Sequence, residues 1–243
     1  MPVPRVYVDR PLDPGIALEL PEAAARHLFQ VLRLGGGAQL RVFNGDGRDY
    51  TARIDRATRQ GARIDVLTAG DEEPPPPLAI HLALGVSRGE RMDFAIQKAV
   101  ELGVAGITPL FTERSVVQLQ GERLARRRKH WRGVMIGACE QSGRRRLPVL
   151  LGPSSLADWL AQTHPDTLLL DPLGELPLPA LPAPSGPLTL LVGPEGGLAP
   201  RERAAARARG VRGVRLGPRI LRTETAPLAA IAIIQALWGD LAS

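Results

Sequence analysis

The chain has 243 residues, of which 44% are hydrophobic, and a formal net charge of +6 at neutral pH. This composition is enough for one large or two modest folded cores, and no apolar run approaches the roughly 18 residues of a membrane-spanning helix. The segment MPVPRVYVDR has no apolar signal-peptide core, and one cysteine cannot form an internal disulfide. We therefore expect a cytoplasmic protein that has no membrane partner.

The N-terminal part of the chain contains short runs that are rich in strand-forming residues and separated by turn signals such as Asn-Gly-Asp-Gly at 44–47. This pattern predicts a small β-barrel. A helix-like insert, Pro21–Leu34, carries Arg26, His27 and Arg33, and from the residues alone it is as easily an inert packing helix as a functional one. The predicted strands are Val3–Val8, Gln39–Phe43, Asp49–Ile54 and Ala62–Leu67.

A sequence DEEPPPP at 71–77 stops any helix or central strand and predicts an extended linker. Two domains follow from it, residues 1–72 and 79–243, with a Pro-rich linker at 73–78. In the second domain apolar strands alternate with helices, which predicts a mostly parallel α/β sheet. The predicted elements are strands 79–86, 106–111, 167–171, 188–192 and 213–216, and helices 91–102, 122–138 and 224–241.

Positive charge concentrates on the helix predicted at 122–138 and on the three arginines at 144–146, just after it. A solvated helix face explains part of this cluster, whereas three consecutive arginines fit phosphate contact better. Cys139 has no set of metal-ligating residues near it in the sequence, and we interpret it as a small buried helix residue rather than a nucleophile.

Two Gly/Pro loops follow strands near the C-terminus, Leu191–Gly197 and Leu216–Ala226. In an α/β sheet, ligands bind beyond the carboxyl ends of strands and beside helix N-termini. A single such loop would be interpreted as an ordinary turn. The second loop, however, also contains Arg219, Arg222 and Glu224 in an otherwise apolar stretch, and buried charges are normally paired or functional. Together the loops predict a ligand site.

These motifs resemble the bacterial 16S ribosomal RNA uracil-N3 methyltransferases, the RsmE family of the SPOUT superfamily. The runs LVGPEGGLAPRE and LGPRILRTETAPLAAIAIIQ carry the resemblance most strongly. Further motifs stand upstream in the family's order, namely RHLFQVLRL at 26–34, ERMDFAIQKAVELGV at 90–104, TERSV at 112–116 and ACEQSGR at 138–144. The resemblance covers nearly the whole chain and is weakest at 172–187.

The resemblance implies a PUA-like β-barrel that helps to hold RNA, followed by a SPOUT α/β domain with a trefoil knot that binds S-adenosylmethionine. General topology rules would instead predict an unknotted sheet. It also implies a homodimer, for which the apolar helix 224–241 is a candidate interface, although simple core packing explains that helix equally well. The cofactor residues that it implies are Leu170, Asp171, Val192, Gly193, Pro194, Glu195, Gly196, Gly197, Leu216, Gly217, Ile220, Leu221, Thr223, Thr225 and Ala226.

Methyl transfer to uracil N3 needs alignment, a dry site and a deprotonated nucleophile, but no metal. The four histidines lack metal-ligand spacing, so we expect no metal site. A guanidinium near the uracil carbonyls stabilises the developing anion, and we assign this role to Arg222. Glu224 either orients Arg222 or accepts the N3 proton.

The expected RNA partner is 16S ribosomal RNA within the 30S subunit, and the candidate contacts are Arg26, His27, Arg33, Arg88, Arg114, Ser115, Gln141, Ser142 and Arg144. Ser142-Gly143 also reads as a helix C-terminus. Two roles are equally compatible with Glu195: it contacts the cofactor or the partner subunit, or it caps the helix that begins near Pro200. Two other functions stay open: a SPOUT methyltransferase acting on transfer RNA, and a noncatalytic RNA-binding ribosome-assembly factor.

Overall fold

The computed structural model describes residues 3–20, 22–26, 28, 33–58, 61–117, 119–162 and 166–241. The chain divides into two compact units, one comprising Met1–Pro75 and Cys139–Leu147 and the other Pro76–Ala138 and Pro148–Ser243. Residues 139–147 were expected in the C-terminal domain, but they belong to the same compact unit as the N-terminal residues.

The first unit contains one five-stranded sheet in the order β1-β3-β4-β5-β2. Neighbouring strands are antiparallel except β1 and β3, which are parallel. Apolar residues that alternate along the strands, such as Leu40, Val42, Ile54 and Ile64, form its buried core. The strands are β1 (Arg5–Tyr7), β2 (Ala17–Leu20), β3 (Gln39–Phe43), β4 (Tyr50–Ala57) and β5 (Ala62–Ala69).

Within the predicted helix 21–34, helix α1 covers Glu22–Arg26, whereas residues 21, 27 and 29–32 lie outside the described residues. Arg33 has a positive φ of 54°, which a right-handed helix does not accommodate, so the helix ends before it. Strand β2 was not predicted because its sequence ALEL has weak strand propensity. Its extended conformation is stabilised by antiparallel pairing with β5.

Arg5 explains why residues 139–147 belong to the first unit. Its guanidinium bonds Asp49 Oδ1 at 2.7 Å, lies 4.5 Å from the ring centre of Phe43, and donates to the carbonyl oxygens of Cys139 at 2.5 Å and Arg144 at 3.1 Å. The side chain is only 9% exposed. A charge buried this deeply must be paired and hydrogen-bonded, so these carbonyls are held against β1.

The second unit is built on a parallel sheet of eight strands. Seven of them follow the order β11-β13-β10-β12-β6-β7-β8, and β9 also pairs with β7. The strands are β6 (Ile80–Gly85), β7 (Gly106–Phe111), β8 (Val149–Leu150), β9 (Ser154–Ser155), β10 (Thr167–Leu170), β11 (Leu176–Pro177), β12 (Leu188–Val192) and β13 (Arg212–Arg215). The helices of this half of the chain are α2 (Gly89–Glu101), α3 (Gly121–Ser142), α4 (Leu156–Ala161), α5 (Pro200–Ala208) and α6 (Thr225–Trp238).

Strand order fixes where the two Gly/Pro loops meet. Strands β13, β10 and β12 are adjacent and parallel, so the segments that follow them emerge at one edge of the sheet. Because β13 lies beyond β10 rather than next to β12, the chain crosses β10 by way of α5. This crossing is consistent with the trefoil knot that the resemblance implies, and the knot itself stays a prediction.

Helix α6 packs one apolar face into the unit, where Ala230, Ile231 and Ile234 are buried. Gln235 is also buried, and its amide donates to the carbonyl of Leu102 at the end of α2 at 2.9 Å. Cys139 is a buried free cysteine of α3, as the sequence analysis predicted. Burial raises its thiol pKa to about 11. None of the described helices is both long and apolar enough to cross a membrane.

Candidate cofactor and active site

Three loops at the carboxyl edge of the parallel sheet surround a cavity of about 550 Å³. The loops follow β10, β12 and β13, and Arg91 of α2 and Arg203 of α5 complete the wall. A volume of this size fits a small-molecule ligand or cofactor. Of the residues predicted to bind cofactor, all except Thr225 line the cavity, whereas Thr225 is exposed in the first turn of α6.

Close backbone packing fixes the loop that follows β12. A Cβ at Gly85 would lie 2.5 Å from the backbone nitrogen of Pro194, and a Cβ at Gly193 would lie 2.9 Å from the backbone of Gly197 and Leu198. Gly197 has a φ of +64°, a conformation that glycine adopts without strain. Glycine is therefore required in this loop for packing and for chain direction.

The loop that follows β13 is joined to the β12 loop by a hydrogen bond. The buried Thr223 hydroxyl donates to the carbonyl oxygen of Gly193 at 2.8 Å. Behind β13, Gly174 lies so close to Val214 that a Cβ there would come within 2.6 Å of its carbonyl carbon. The three loops thus form one rigid wall, because each is fixed by contacts with another segment.

Glu195 lies against the start of α2. Its Oε1 accepts the backbone N–H of Arg88 at 3.0 Å and lies 3.6 Å from the guanidinium of Arg91. Burial alone would raise the pKa of this carboxyl, but the backbone hydrogen bonds and the Arg91 charge outweigh it and lower the pKa below its usual 4.5. Glu195 is therefore a stable anion at the cavity wall.

The suggestion that Glu195 caps the helix near Pro200 is wrong. Glu202 has that role, because its Oε2 accepts the N–H of Ala199 at 2.8 Å at the start of α5. Its Oε1 also accepts the N–H of Glu113 at 2.8 Å, which ties α5 to the loop after β7. Glutamate at the third helical position was the sequence signal for this cap.

The loop after β7 supports the cavity from outside. Arg114 donates to the carbonyl oxygen of Gly196 at 2.8 Å. The Ser115 hydroxyl is buried and accepts the N–H of Thr112 at 3.0 Å, so it is used in closing its own turn. The predicted RNA contacts of Arg114 and Ser115 stay predictions.

Arg222 and Glu224 lie on the same loop at the cavity, where Arg222 is exposed and Glu224 is half-buried. The carbonyl oxygen of Arg222 accepts the N–H groups of Thr225 and Ala226, both at 2.9 Å, and so begins α6. Within the described residues, no ion pair or hydrogen bond joins the two side chains. The alternative in which Glu224 orients Arg222 has no direct contact to support it.

Carboxylate oxygens around the cavity are left without hydrogen-bond partners. Five buried side-chain polar atoms lack a hydrogen-bond partner in the described part of the chain, and three of them belong to cavity residues: Asp171 Oδ2, which lies 3.7 Å from the Arg207 guanidinium, Glu195 Oε2 and Glu224 Oε2. A buried carboxylate oxygen without a hydrogen bond is costly, so such atoms mark a place for a donor. The cavity is therefore suited to a ligand with positive charge and several N–H or O–H groups.

Sequence reasoning missed two cavity arginines, Arg91 and Arg203. Arg91 stands inside the motif ERMDFAIQKAVELGV, whose second residue could have signalled it. Arg203 is one residue after the capping Glu202, a position that directs it toward the loop edge of the sheet once α5 is correctly capped. Arg219 was noticed for its charge and also lines the cavity.

The remaining predicted RNA contacts belong to the first unit, apart from Arg88, which is exposed beside Glu195. Arg26 pairs with Glu22 at 3.2 Å, and Arg33 is exposed. Gln141 and Ser142 are exposed at the end of α3, and the carbonyl of Arg144 is bonded to Arg5. His27 lies outside the described residues.

The suggested phosphate-binding run 144–146 is largely engaged within the protein. Glu73 accepts the backbone N–H groups of Arg145 and Arg146 at 2.6 and 3.2 Å. The Arg146 guanidinium also pairs with Glu72 at 2.5 Å. Arg146 therefore neutralises part of the acidic segment that precedes the prolines, and Arg145 is hydrogen-bonded to the same segment. Among the described residues, no group of three or more His, Cys, Asp or Glu side chains is arranged to hold a metal ion.

Comparison with known proteins gives matches over most of the chain. Residues 74–235 match the family of RNA methyltransferase domains, and residues 20–67 match the RNA methyltransferase PUA domain. The chain is 32% identical to the ribosomal RNA small subunit methyltransferase E of Buchnera aphidicola (Schizaphis graminum), over 98% of each chain. It is also 32% identical to the same enzyme of Mycobacterium tuberculosis, over 98% of this chain and 94% of that one.

Solved structures agree in fold and length. The ribosomal RNA small subunit methyltransferase E of Neisseria gonorrhoeae, bound to S-adenosylmethionine, superposes with a TM-score of 0.93 at 40% identity, covering 98% of this chain and 99% of that one. A Legionella pneumophila protein in complex with the same cofactor also gives 0.93, at 37% identity over 99% and 100% of the two chains.

Proposed function

The chain belongs to the RNA methyltransferase family that includes ribosomal RNA small subunit methyltransferase E, and we propose that it methylates N3 of a uridine in 16S ribosomal RNA. S-adenosylmethionine is its cofactor, as in the solved relatives. The observation that carries the proposal is the cavity in which three carboxylates each present a buried oxygen that accepts no hydrogen bond from the described residues.

The residues of the cavity fit this cofactor. S-adenosylmethionine carries a sulfonium and an ammonium group, together with ribose hydroxyls and an adenine amine, and these groups match a wall rich in carboxylate acceptors. Asp171 is 3% exposed; its Oδ1 accepts the Leu173 N–H at 3.0 Å, while its Oδ2 has no hydrogen bond and lies 3.7 Å from the Arg207 guanidinium. Asp171 Oδ2, Glu195 Oε2 and Glu224 Oε2 are candidate acceptors for the cofactor or the substrate.

When bound, the cofactor supplies an electrophilic methyl group; its carbon–sulfur bond breaks with the electron pair going to sulfur as the bond to N3 forms. Uracil N3 must lose its proton for this displacement, and Glu224 Oε2 is the proposed acceptor. The exposed guanidinium of Arg222 stabilises negative charge on the uracil carbonyl oxygens. Loops held together by Thr223 and Gly193 keep these groups in place, and alignment is the main contribution of such a site.

Binding of the RNA is assigned to both units. Residues 1–72 form the PUA-like RNA-binding domain, 73–78 the linker and 79–243 the methyltransferase domain, with 139–147 grouped with the first. Arg88 and Arg114, beside the cofactor loop, are the contacts proposed nearest the reacting base. The 30S subunit is the assembled form of the substrate, and the protein acts in the cytoplasm.

We propose a homodimer whose interface includes α2 and α6. Phe94 on α2 and Leu237 on α6 are 46% and 47% exposed, and Leu241 just beyond α6 is 54% exposed. Large apolar side chains that are exposed on these two helices favour contact with another protein surface. Size measurement in solution tests this: a monomer would exclude it.

Methyl transfer from labelled S-adenosylmethionine to unmodified 30S subunits and to naked 16S RNA tests the function, with nucleoside mass spectrometry to identify the product. We expect 3-methyluridine from the unsubstituted protein and at least 100-fold less from Arg222→Ala, the scale of losing one oxyanion-stabilising donor, about 10²–10³. Arg209→Ala, an exposed arginine just after α5 that does not line the cavity, is the control and keeps most of the activity. Methylation of transfer RNA alone, or cofactor binding without turnover, would refute the proposal.

A further inference from the structure

Helix α3 carries most of the net positive charge of the chain. Its 22 residues include six arginines and lysines and two glutamates. Arg123, Arg126, Arg128 and Lys129 are all exposed. This charge lies outside the cavity, and neither the cofactor nor the methyl-transfer chemistry uses it.

These four cations differ from the arginines of the first unit's sheet, because none of them has a side-chain partner among the described residues. In the sheet of the first unit, Arg53, Arg56 and Arg63 each lie 3.7 to 3.9 Å from a carboxylate of Asp65, Glu19 and Asp55. Within the described part of the chain, the side chains of Arg123, Arg126, Arg128 and Lys129 make no hydrogen bond or ion pair. Unpaired like charges on one helix repel, so the arrangement costs stability.

Helix geometry places three of the cations on one face. Arg123, Arg126 and Lys129 are spaced three residues apart, and at 1.5 Å per residue they cover about 9 Å along the axis. The opposite face is anchored, because Trp131 and Met135 are buried. Asp93 of α2 fixes the rotation further: it lies 2.8 Å from His130 Nε2 and 4.0 Å from Arg127.

The same face continues as two glycines. Gly133 and Gly137 follow Lys129 at intervals of four residues, both inside α3, and both are exposed. A Cβ at either position would meet nothing within 4 Å, so packing within the protein does not require glycine there. Glycine in a helix interior is unfavourable relative to alanine, and one use that offsets this is close approach of a ligand backbone.

We propose that this face of α3, formed by Arg123, Arg126, Lys129, Gly133 and Gly137, docks the sugar-phosphate backbone of the RNA substrate. The cations contact successive phosphates, and the glycines admit the strand close to the helix axis. The inference rests on the proposed function, since it gives the RNA a second contact surface in addition to the cavity. Phosphate contact of this kind positions the substrate without reading its sequence.

Arg126→Gln/Lys129→Gln tests the proposal, because glutamine keeps helix propensity while removing two charges. The matched control is Arg209→Gln/Arg212→Gln, two exposed arginines at the end of α5 and the start of β13, near the opposite edge of the sheet from the strands that α3 connects. Affinity for naked 16S RNA is measured against KCl concentration. S-adenosylmethionine affinity should be the same in all three proteins.

Two lost phosphate contacts reduce the slope of log K against log salt by about 1.4 to 1.8, and weaken binding roughly tenfold or more near 0.1 M salt. We expect this change in the α3 pair alone, with a higher KM for RNA and an unchanged kcat, while Arg126→Lys retains the slope. Equal slopes in the α3 pair and the control pair would overturn the proposal. A loss seen with 30S subunits but not with naked RNA would also overturn it, in favour of a protein partner.

The same measurements distinguish failure of the docking surface from failure of the proposed function. RNA binding is measured without cofactor, so a salt-slope change in the α3 pair supports docking even if the unsubstituted protein forms no 3-methyluridine. Conversely, formation of 3-methyluridine together with equal slopes would leave the methyltransferase assignment standing and remove the α3 surface.

Discussion

Gly85→Ala is expected to damage the cofactor loop without touching any group that reacts. The new Cβ would lie 2.5 Å from Pro194 N, 2.6 Å from Pro194 Cδ and 2.8 Å from the Gly193 carbonyl carbon, whereas ordinary contacts begin at 3.4 Å. The loop must therefore move by about 0.9 Å, since Gly85 ends β6, a strand paired on both sides. A misplacement of about 1 Å can cost on the order of 100-fold in rate.

Overpacking of this kind destabilises by about 1–3 kcal/mol. For a protein of this length, 2 kcal/mol corresponds to a fall in Tm of roughly 4 to 8 °C. Calorimetric titration with S-adenosylmethionine and a thermal melt measure the two effects. Gly186→Ala is the control, because a Cβ there meets nothing within 4 Å. If Gly85→Ala bound the cofactor and melted like Gly186→Ala, close packing of β6 against Pro194 would not be what positions the loop.

Two further changes test the wall of the site and the first unit. The folded-state pKa of Glu195 is lowered below 4.5, so its ionised form adds stability that is complete above 4.5 and lost as the pH falls through the lowered value. The Tm difference between the unsubstituted protein and Glu195→Gln should accordingly be largest near pH 7 and vanish in acid; a difference that grows in acid would contradict this. Arg5→Ala leaves Asp49 without its 2.7 Å partner and should cost about 3 kcal/mol in urea unfolding, against nearly none for the exposed Arg10→Ala. Equal losses in those two variants would refute the assigned role of Arg5.

The sequence predicted the elements whose pattern is local. Short apolar runs bounded by turn residues, such as Leu188–Val192, favour buried strands, and the Gly/Pro loops that follow them lie at the cavity as expected. It did not predict the strands β8, β9 and β11, which have two residues each. Their extended conformation depends on pairing with a neighbouring strand rather than on their own composition.

Site residues were predictable where a motif was continuous and less so where partners are distant in the chain. Glu195 was expected at the cofactor loop, but its contact with the backbone of Arg88, 107 residues away, could not be read from spacing. Arg145 and Arg146 were interpreted as phosphate ligands because their acidic partners in the linker are not adjacent in sequence. Whether a cluster of charged residues is available to a ligand thus depends on its partners within the protein, and only the fold shows these.

The first unit is discontinuous in sequence, and this affects how it can form during synthesis. Arg5 needs carbonyl oxygens of residues 139 and 144 to satisfy its buried guanidinium. A ribosome adds roughly 5–20 residues per second, so the strands at 5–69 wait several seconds for these acceptors. Until then Arg5 has only Asp49 and Phe43 as partners. The N-terminal unit therefore begins to fold first but cannot be completed until the middle of the second unit has been translated.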